Sequence, residues 1–197
     1  MNFVVEARGA TRAFLDTFDH PDAIRLLMDF AFDLAVLLQE RVLDAVDAFM
    51  GGSFTFTGSW APGRVVSFSV DAYHLAGPEF YYQWGEPHLQ RLLDYFAGGA
   101  LHVHSNGRRL LPHVSKLRNL VCIQMADEAN DPRSYDMIEE IIAQTGDTPI
   151  AVGCQRAEFE RDLDAHRLPC GVLYHVLGVS SVEEGNRLMD KVRAYSA

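Results

Sequence analysis

The sequence predicts an α/β protein built on a parallel sheet, and three observations predict it. Short apolar runs alternate with longer helical stretches along the second half of the chain. The 197 residues are 48% hydrophobic and 22% charged, the balance of a globular polypeptide with a substantial core. No repeat, low-complexity tract or Ser-rich linker interrupts the alternation, so residues 1–197 read as a single domain.

Each element has its own signal. Over residues 21–49 apolar side chains recur at helical spacing (Leu27, Phe30, Leu34, Leu38, Val42, Phe49), with Pro21 at the first helical position and Gly51-Gly52 beyond the last. This predicts one long helix. FTFT (54–57) and VVSFSV (65–70) then read as strands separated by the turn-rich SWAPG, and a helix follows from Pro78 to Gly98-Gly99. The aromatic run FYYQW (80–84) falls at helical spacing and reads as packing. Further strands are expected at ALHVH (100–104), LVCIQ (120–124), PIAVG (149–153) and GVLYH (171–175), with helices near 109–117, 133–144, 155–166 and 181–195.

Strands alternating with helices imply right-handed crossovers and a parallel sheet. A closed barrel of eight such units takes about 250 residues, and about five are counted here. Either the sheet is open or the chain is the C-terminal part of a barrel, N-terminally truncated. An unclosed parallel sheet leaves an edge of unpaired backbone groups, which implies a partner or a missing segment.

Composition excludes several classes. A formal net charge of -10, with Arg108-Arg109 the only adjacent basic pair, argues against nucleic acid. No apolar stretch is long enough for a membrane span or a signal sequence, and the reading is cytoplasmic with no membrane partner. The three cysteines, Cys122, Cys154 and Cys170, are widely spaced and odd in number, which does not suit a disulfide framework. Cys122 and Cys154 read as small buried hydrophobes on strands.

The chemistry-bearing stretch is GGALHVHSNGRR, residues 98–109. Side chains alternate across a strand, so His102 and His104 share a face while Leu101 and Val103 take the other. Their backbone separation is roughly 6.6 Å, which two imidazoles converging on one ion can bridge. The alternative is one core histidine bonded to a carbonyl and one solvated. Cys170 offers a third donor, and a thiolate with two imidazoles and an open position suits catalytic zinc. Yet Cys170 precedes its strand, whereas the histidines end theirs. Asp71 is a candidate carboxylate at the mouth, Asn106 a candidate for orienting a ligand, and Tyr174 and His175 candidates to line the site.

The order of motifs resembles the uroporphyrinogen decarboxylase superfamily, which includes decarboxylases of porphyrin biosynthesis and corrinoid-dependent methyltransferases. The resemblance rests on RGATRAFLDTFDHPDAIRLLMDF, SWAPG, VDAYHLAGPEFYYQWGEPHLQRLLDYF, LHVHSNG and PCGVLYHVLGVSSVEEGNRLMDKV, and covers nearly the whole chain. It implies the C-terminal portion of a (β/α)8 TIM barrel. In the methyltransferase branch a His-x-Cys pair and a later Cys bind zinc, which activates a thiol to receive a methyl group from a corrinoid. Here His102 matches the first ligand, His104 replaces the Cys, and Cys170 matches the later Cys. In the decarboxylase branch the last motif resembles Gly-His-Gly-Leu-Tyr-Pro, so Tyr174 fits while Cys170 stands where that histidine belongs.

Three readings follow. The favoured one is a zinc-assisted, methyltransferase-like enzyme with metal at His102, His104 and Cys170, Asp71 and Tyr174 as catalytic candidates, and a corrinoid as donor. The second is a metal-free decarboxylase-like lyase acting on a tetrapyrrole. The third is a non-catalytic fragment or binding subunit. The partners these readings name are a small-molecule substrate (a methylated compound, a thiol or a tetrapyrrole), a corrinoid protein, a complementary chain or a second copy of the same chain.

Overall fold

The computed structural model describes residues 1–46, 48–56 and 58–195. Three helices come first: α1 (Asn2–Arg8), α2 (Ala10–Asp19) and α3 (Pro21–Ala45). Pro21 opens α3 at a position where its missing N–H costs nothing. The helix stops at Ala45, short of the predicted 49, and position 47 lies outside the described residues. Only Ile24 and Met28 of α3 are buried, so much of its apolar stripe, Leu26, Phe30, Leu37 and Leu38 included, faces outward.

The next segment corrects two expectations. SWAPG is not a turn: β1 (Gly52–Phe54) and β2 (Trp60–Pro62) pair antiparallel, with Ser53 opposite Ala61. The FTFT strand reduces to Phe54, because Thr55 and Phe56 lie in the connection, and Thr57 falls outside the described residues. The connection folds back on the main sheet. The Phe56 backbone N–H donates to Ser67 Oγ at 3.0 Å, and the Phe56 ring lies 5.7 Å from that of His102.

The main sheet has five parallel strands in sequence order: β3 (Val66–Ser69), β4 (Gly99–His104), β5 (Leu120–Ala126), β6 (Ile150–Gln155) and β7 (Val172–Leu177). It is open, with β3 and β7 at its edges. Between them run α4 (Pro78–Trp84) and α5 (Glu86–Tyr95), α6 (Leu111–Val114), α7 (Ile138–Thr145) and α8 (Arg156–Asp164), and α9 (Val182–Arg193) follows. The single helix expected from Pro78 is two, divided at Gly85, because Pro87 cannot donate into a continuous helix. Near 109–117 the regular helix is only α6, entered through a 3-10 turn from Ser105 to Leu110.

Alternation sorts the strands into two faces. Leu101, Val103, Ile123, Met125, Ile150, Val152 and Cys154 pack with Leu110, Leu111, Val114, Ile138, Ile141 and Phe159 in the principal core. This is the helix-covered face. The other carries Ser67 and Ser69, Ala100, His102 and His104, Cys122 and Gln124, Ala151 and Gly153, and His175. Low down, Ala100, Cys122 and Ala151 form a small buried cluster. At β7 that face is partly bare, with Leu173 38% and Leu177 56% exposed. Among the described residues no helix is long and apolar enough to cross a membrane.

Candidate functional site

The candidate site sits at the C-terminal end of the sheet, where β3, β4 and β5 deliver their last side chains. Parallel strands put all their carboxyl ends on one edge, so loops after them converge there. Register places Ser69 beside His102, His102 beside Gln124 and His104 beside Ala126.

Each imidazole is held by its Nδ1. His102 Nδ1 donates to Gln124 Oε1, and the Gln124 amide is oriented by its own Nε2, which donates to the Met125 carbonyl at 3.1 Å. His104 Nδ1 donates to Glu128 Oε1. Glu128 is fixed in turn, since its backbone N–H donates to Ser105 Oγ at 3.2 Å and Ser105 donates to Asp131 Oδ2 at 2.6 Å. With both Nδ1 atoms carrying protons, both neutral rings present bare lone pairs at Nε2. Those two nitrogens face each other at 3.1 Å. Two lone pairs at that separation repel unless a cation, a proton or a metal ion, stands between them.

The third group is Asp71, on the 3-10 turn that follows β3. Its Oδ2 accepts from Ser69 Oγ at 2.6 Å, and Ser69 accepts from Asn2 Nδ2 at 2.7 Å. Asn2 Oδ1 also accepts from the Ala72 backbone N–H at 3.0 Å. The remaining oxygen, Asp71 Oδ1, is buried, has no hydrogen bond among the described residues, and lies 3.6 Å from His104 Nε2.

Among the described residues no three or more His, Cys, Asp or Glu side chains are gathered closely enough to hold a metal ion as they stand. The fit therefore rests on the pair. Two imidazole nitrogens bound to one tetrahedral zinc stand about 3.3 Å apart, against the 3.1 Å between His102 and His104 Nε2. Acceptors on both Nδ1 atoms are the outer partners that ligating histidines generally have. Two imidazole nitrogens are donors that suit a divalent ion of the zinc type, and Asp71 Oδ1 adjoins one of them at 3.6 Å.

Two candidates lie elsewhere. Cys170 is exposed on the turn leading into β7, at the N-terminal end of a strand parallel to β4. Strands rise about 3.3 Å per residue, which puts it roughly 20 Å below the level of the carboxyl ends. It does not join the histidines. Tyr174 lies on the helix-covered face, its ring 5.3 Å from Phe159 and 6.3 Å from Tyr135. Its hydroxyl is buried without a hydrogen-bond partner among the described residues, and burial drives its pKa upward. It too is apart from the pair. Asn106 is exposed on the 3-10 turn after β4.

Gln124, Glu128, Ser69 and Asn2 complete the centre and were missed by sequence reasoning. Gln124 carried a signal: it is a polar residue on the same face of its strand as His102 on the neighbouring one. Asn2 carried none, because its partners lie 67 and 70 residues away. Cys122 and Cys154 are buried, and burial pushes the Cys154 thiol up to about 11.

No protein-family model, curated protein or solved structure matches this chain.

Proposed function

We propose that this chain is a metal-assisted, methyltransferase-like enzyme that uses zinc at His102 and His104, with Asp71 rather than Cys170 as the third ligand, and acts on a small-molecule thiol. One observation carries the reading: two Nε2 atoms with outward-bound Nδ1 protons face each other at 3.1 Å. When bound there, zinc supplies Lewis acidity that lowers the pKa of a thiol. Gln124 and Glu128 hold the imidazole tautomers, Ser69 and Asn2 hold the Asp71 carboxylate, and the Phe56 ring lies 5.7 Å from that of His102.

The open sheet is read as the C-terminal portion of a (β/α)8 barrel of the uroporphyrinogen decarboxylase type. Sequential parallel strands and a centre at their carboxyl ends support that reading. A corrinoid donor belongs to it by resemblance alone. The rim bears Asp71, Asp127, Glu128 and Asp131, with Arg108 and Arg133 already engaged with Asp127 and Glu158. Such a rim suits a polycarboxylated tetrapyrrole poorly, which weighs against the lyase reading.

The test is metal content after dialysis without chelator, with and without added zinc. One zinc per chain, lost in His104→Ala with the fold retained by circular dichroism, is the expected result. A protein that retains none and takes up none leaves a proton shared between the two rings and ends the proposal.

A further inference from the structure

Helix α3 has an apolar face that no other part of the described chain covers. Its inner side is occupied: Phe32, Val36 and Leu43 pack with Val66, Leu92 and Phe96, and Ile24 and Met28 enter the principal core. On the outer side Leu26, Phe30, Leu34, Leu38 and Val42 follow one another at four-residue intervals and form a ridge, with Leu37 in the row beside it. Leu26 is 73% exposed, and Phe30, Leu37, Leu38 and Val42 are each more than half exposed. With Val46, just past the helix end, these six exposed side chains present on the order of 700 Å², more than the largest apolar patch of an ordinary monomer and close to the area that each partner of a specific interface buries.

The charges on the same helix indicate what covers it. Asp22 pairs with Arg25, Asp29 with Arg91, and Glu40 and Asp44 with Arg64. The two remaining charged residues of α3, Asp33 and Arg41, are exposed and have no ion-pair partner among the described residues. One stands four residues before Leu37 and the other four after it, in the same row. Within one copy they lie about 12 Å apart along the helix, too far to meet. A two-fold axis at Leu37, with α3 packed antiparallel on α3 of a second copy, sets each Asp33 opposite Arg41 of the other and Leu37 opposite itself. The ridge of each copy then lies in the groove beside the ridge of the other. This arrangement pairs both charges, so the face is complementary to itself although the chain carries a net charge of -10.

We propose that the outer face of α3 is the contact surface of a homodimer, a two-fold pair of this chain centred on Leu37 and flanked by Asp33 and Arg41 of opposite copies. The proposal is independent of the metal reading, because none of the residues around the histidine pair belongs to this face.

Sedimentation equilibrium of the full chain tests it, with a mass twice that of one chain expected at micromolar concentration. Leu37→Glu puts two carboxylates on the axis and yields a monomer whose circular dichroism is unchanged. Asp33→Arg and Arg41→Asp each set like charges opposite one another and weaken association about tenfold or more. The double exchange, Asp33→Arg with Arg41→Asp, restores it, a rescue that a different partner molecule does not produce. A chain that stays monomeric at about 100 μM leaves this face to some other molecule and overturns the proposal. A dimer that survives Leu37→Glu, or a double exchange no better than the single ones, overturns it as well.

Discussion

The Tyr135 hydroxyl donates to the buried carboxylate of Asp162 at 2.8 Å, fastening the turn before α7 to the end of α8. Arg161 and Arg167 hydrogen-bond the same carboxylate, the former at 2.7 Å. Asp162→Asn leaves these donors poorly matched and costs about 1–3 kcal/mol of stability in chemical denaturation. The hydrogen bond from Arg161 holds this carboxyl well below its ordinary value of 3.8, with Arg167 and Tyr135 adding to it against burial. A depressed acid stabilises the fold above that ordinary value and loses its contribution as pH falls toward the folded one. The variant's deficit therefore shrinks below about pH 4.

On the metal reading proposed above, loss of an outer partner weakens binding without removing a ligand. Gln124→Leu frees the His102 ring and Glu128→Gln changes the acceptor at His104. Zinc affinity falls about 10–100-fold in either variant, measured by competition with a chromophoric chelator. Unchanged affinity in both shows that these contacts do not orient the rings.

Asp71→Ala and Cys170→Ser separate the two candidate third ligands. The first lowers zinc affinity by about tenfold or more and the second leaves it as it was. The reverse pattern places the thiol in the centre and contradicts the strand polarity described above.

Burial lowers the pKa values of His88 and His175 below the ordinary 6.5. The unfolded chain then binds more protons than the folded one between the folded values and 6.5, so stability rises with pH across that window. Thermal melting temperatures increase from about pH 5.5 to about pH 7. A His88→Gln, His175→Gln double variant shows a shallower rise over the same range.

Gly98 enters β4 with φ +138°, and a Cβ there would stand 2.7 Å from the Asn119 carbonyl oxygen. Both the backbone conformation and the contact oppose any side chain. Gly98→Ala costs about 1–3 kcal/mol, read as a lowered denaturation midpoint. An unchanged midpoint shows that the strand entry relaxes freely.

The strands beginning near Val66, Gly99, Leu120, Ile150 and Val172 were legible because each is a β-branched or apolar run between turn residues. β2 was not, since Trp60, Ala61 and Pro62 become a strand only through pairing with a segment across a turn, a relation that residue types do not encode. The break at Gly85 was written in the sequence as Gly-Glu-Pro, yet the apolar spacing on either side concealed it. At the site, alternation sufficed to put His102 and His104 on one face, and position at a strand end singled out Asp71. The same rules, followed through, separate Cys170 by strand polarity and Tyr174 by strand face. Gln124 and Glu128 needed inter-strand register, which no local pattern supplies.

Asn2 bridges Ser69 and the Ala72 backbone across 67 and 70 residues of chain. The side chain that sets Asp71 thus comes from the first helix, while the histidines come from the middle strands. Closing a loop of that length is a late, entropically expensive event. On the zinc reading proposed above, metal uptake during refolding serves as a clock, with a weak two-histidine phase before the first helix docks and a tight phase after it.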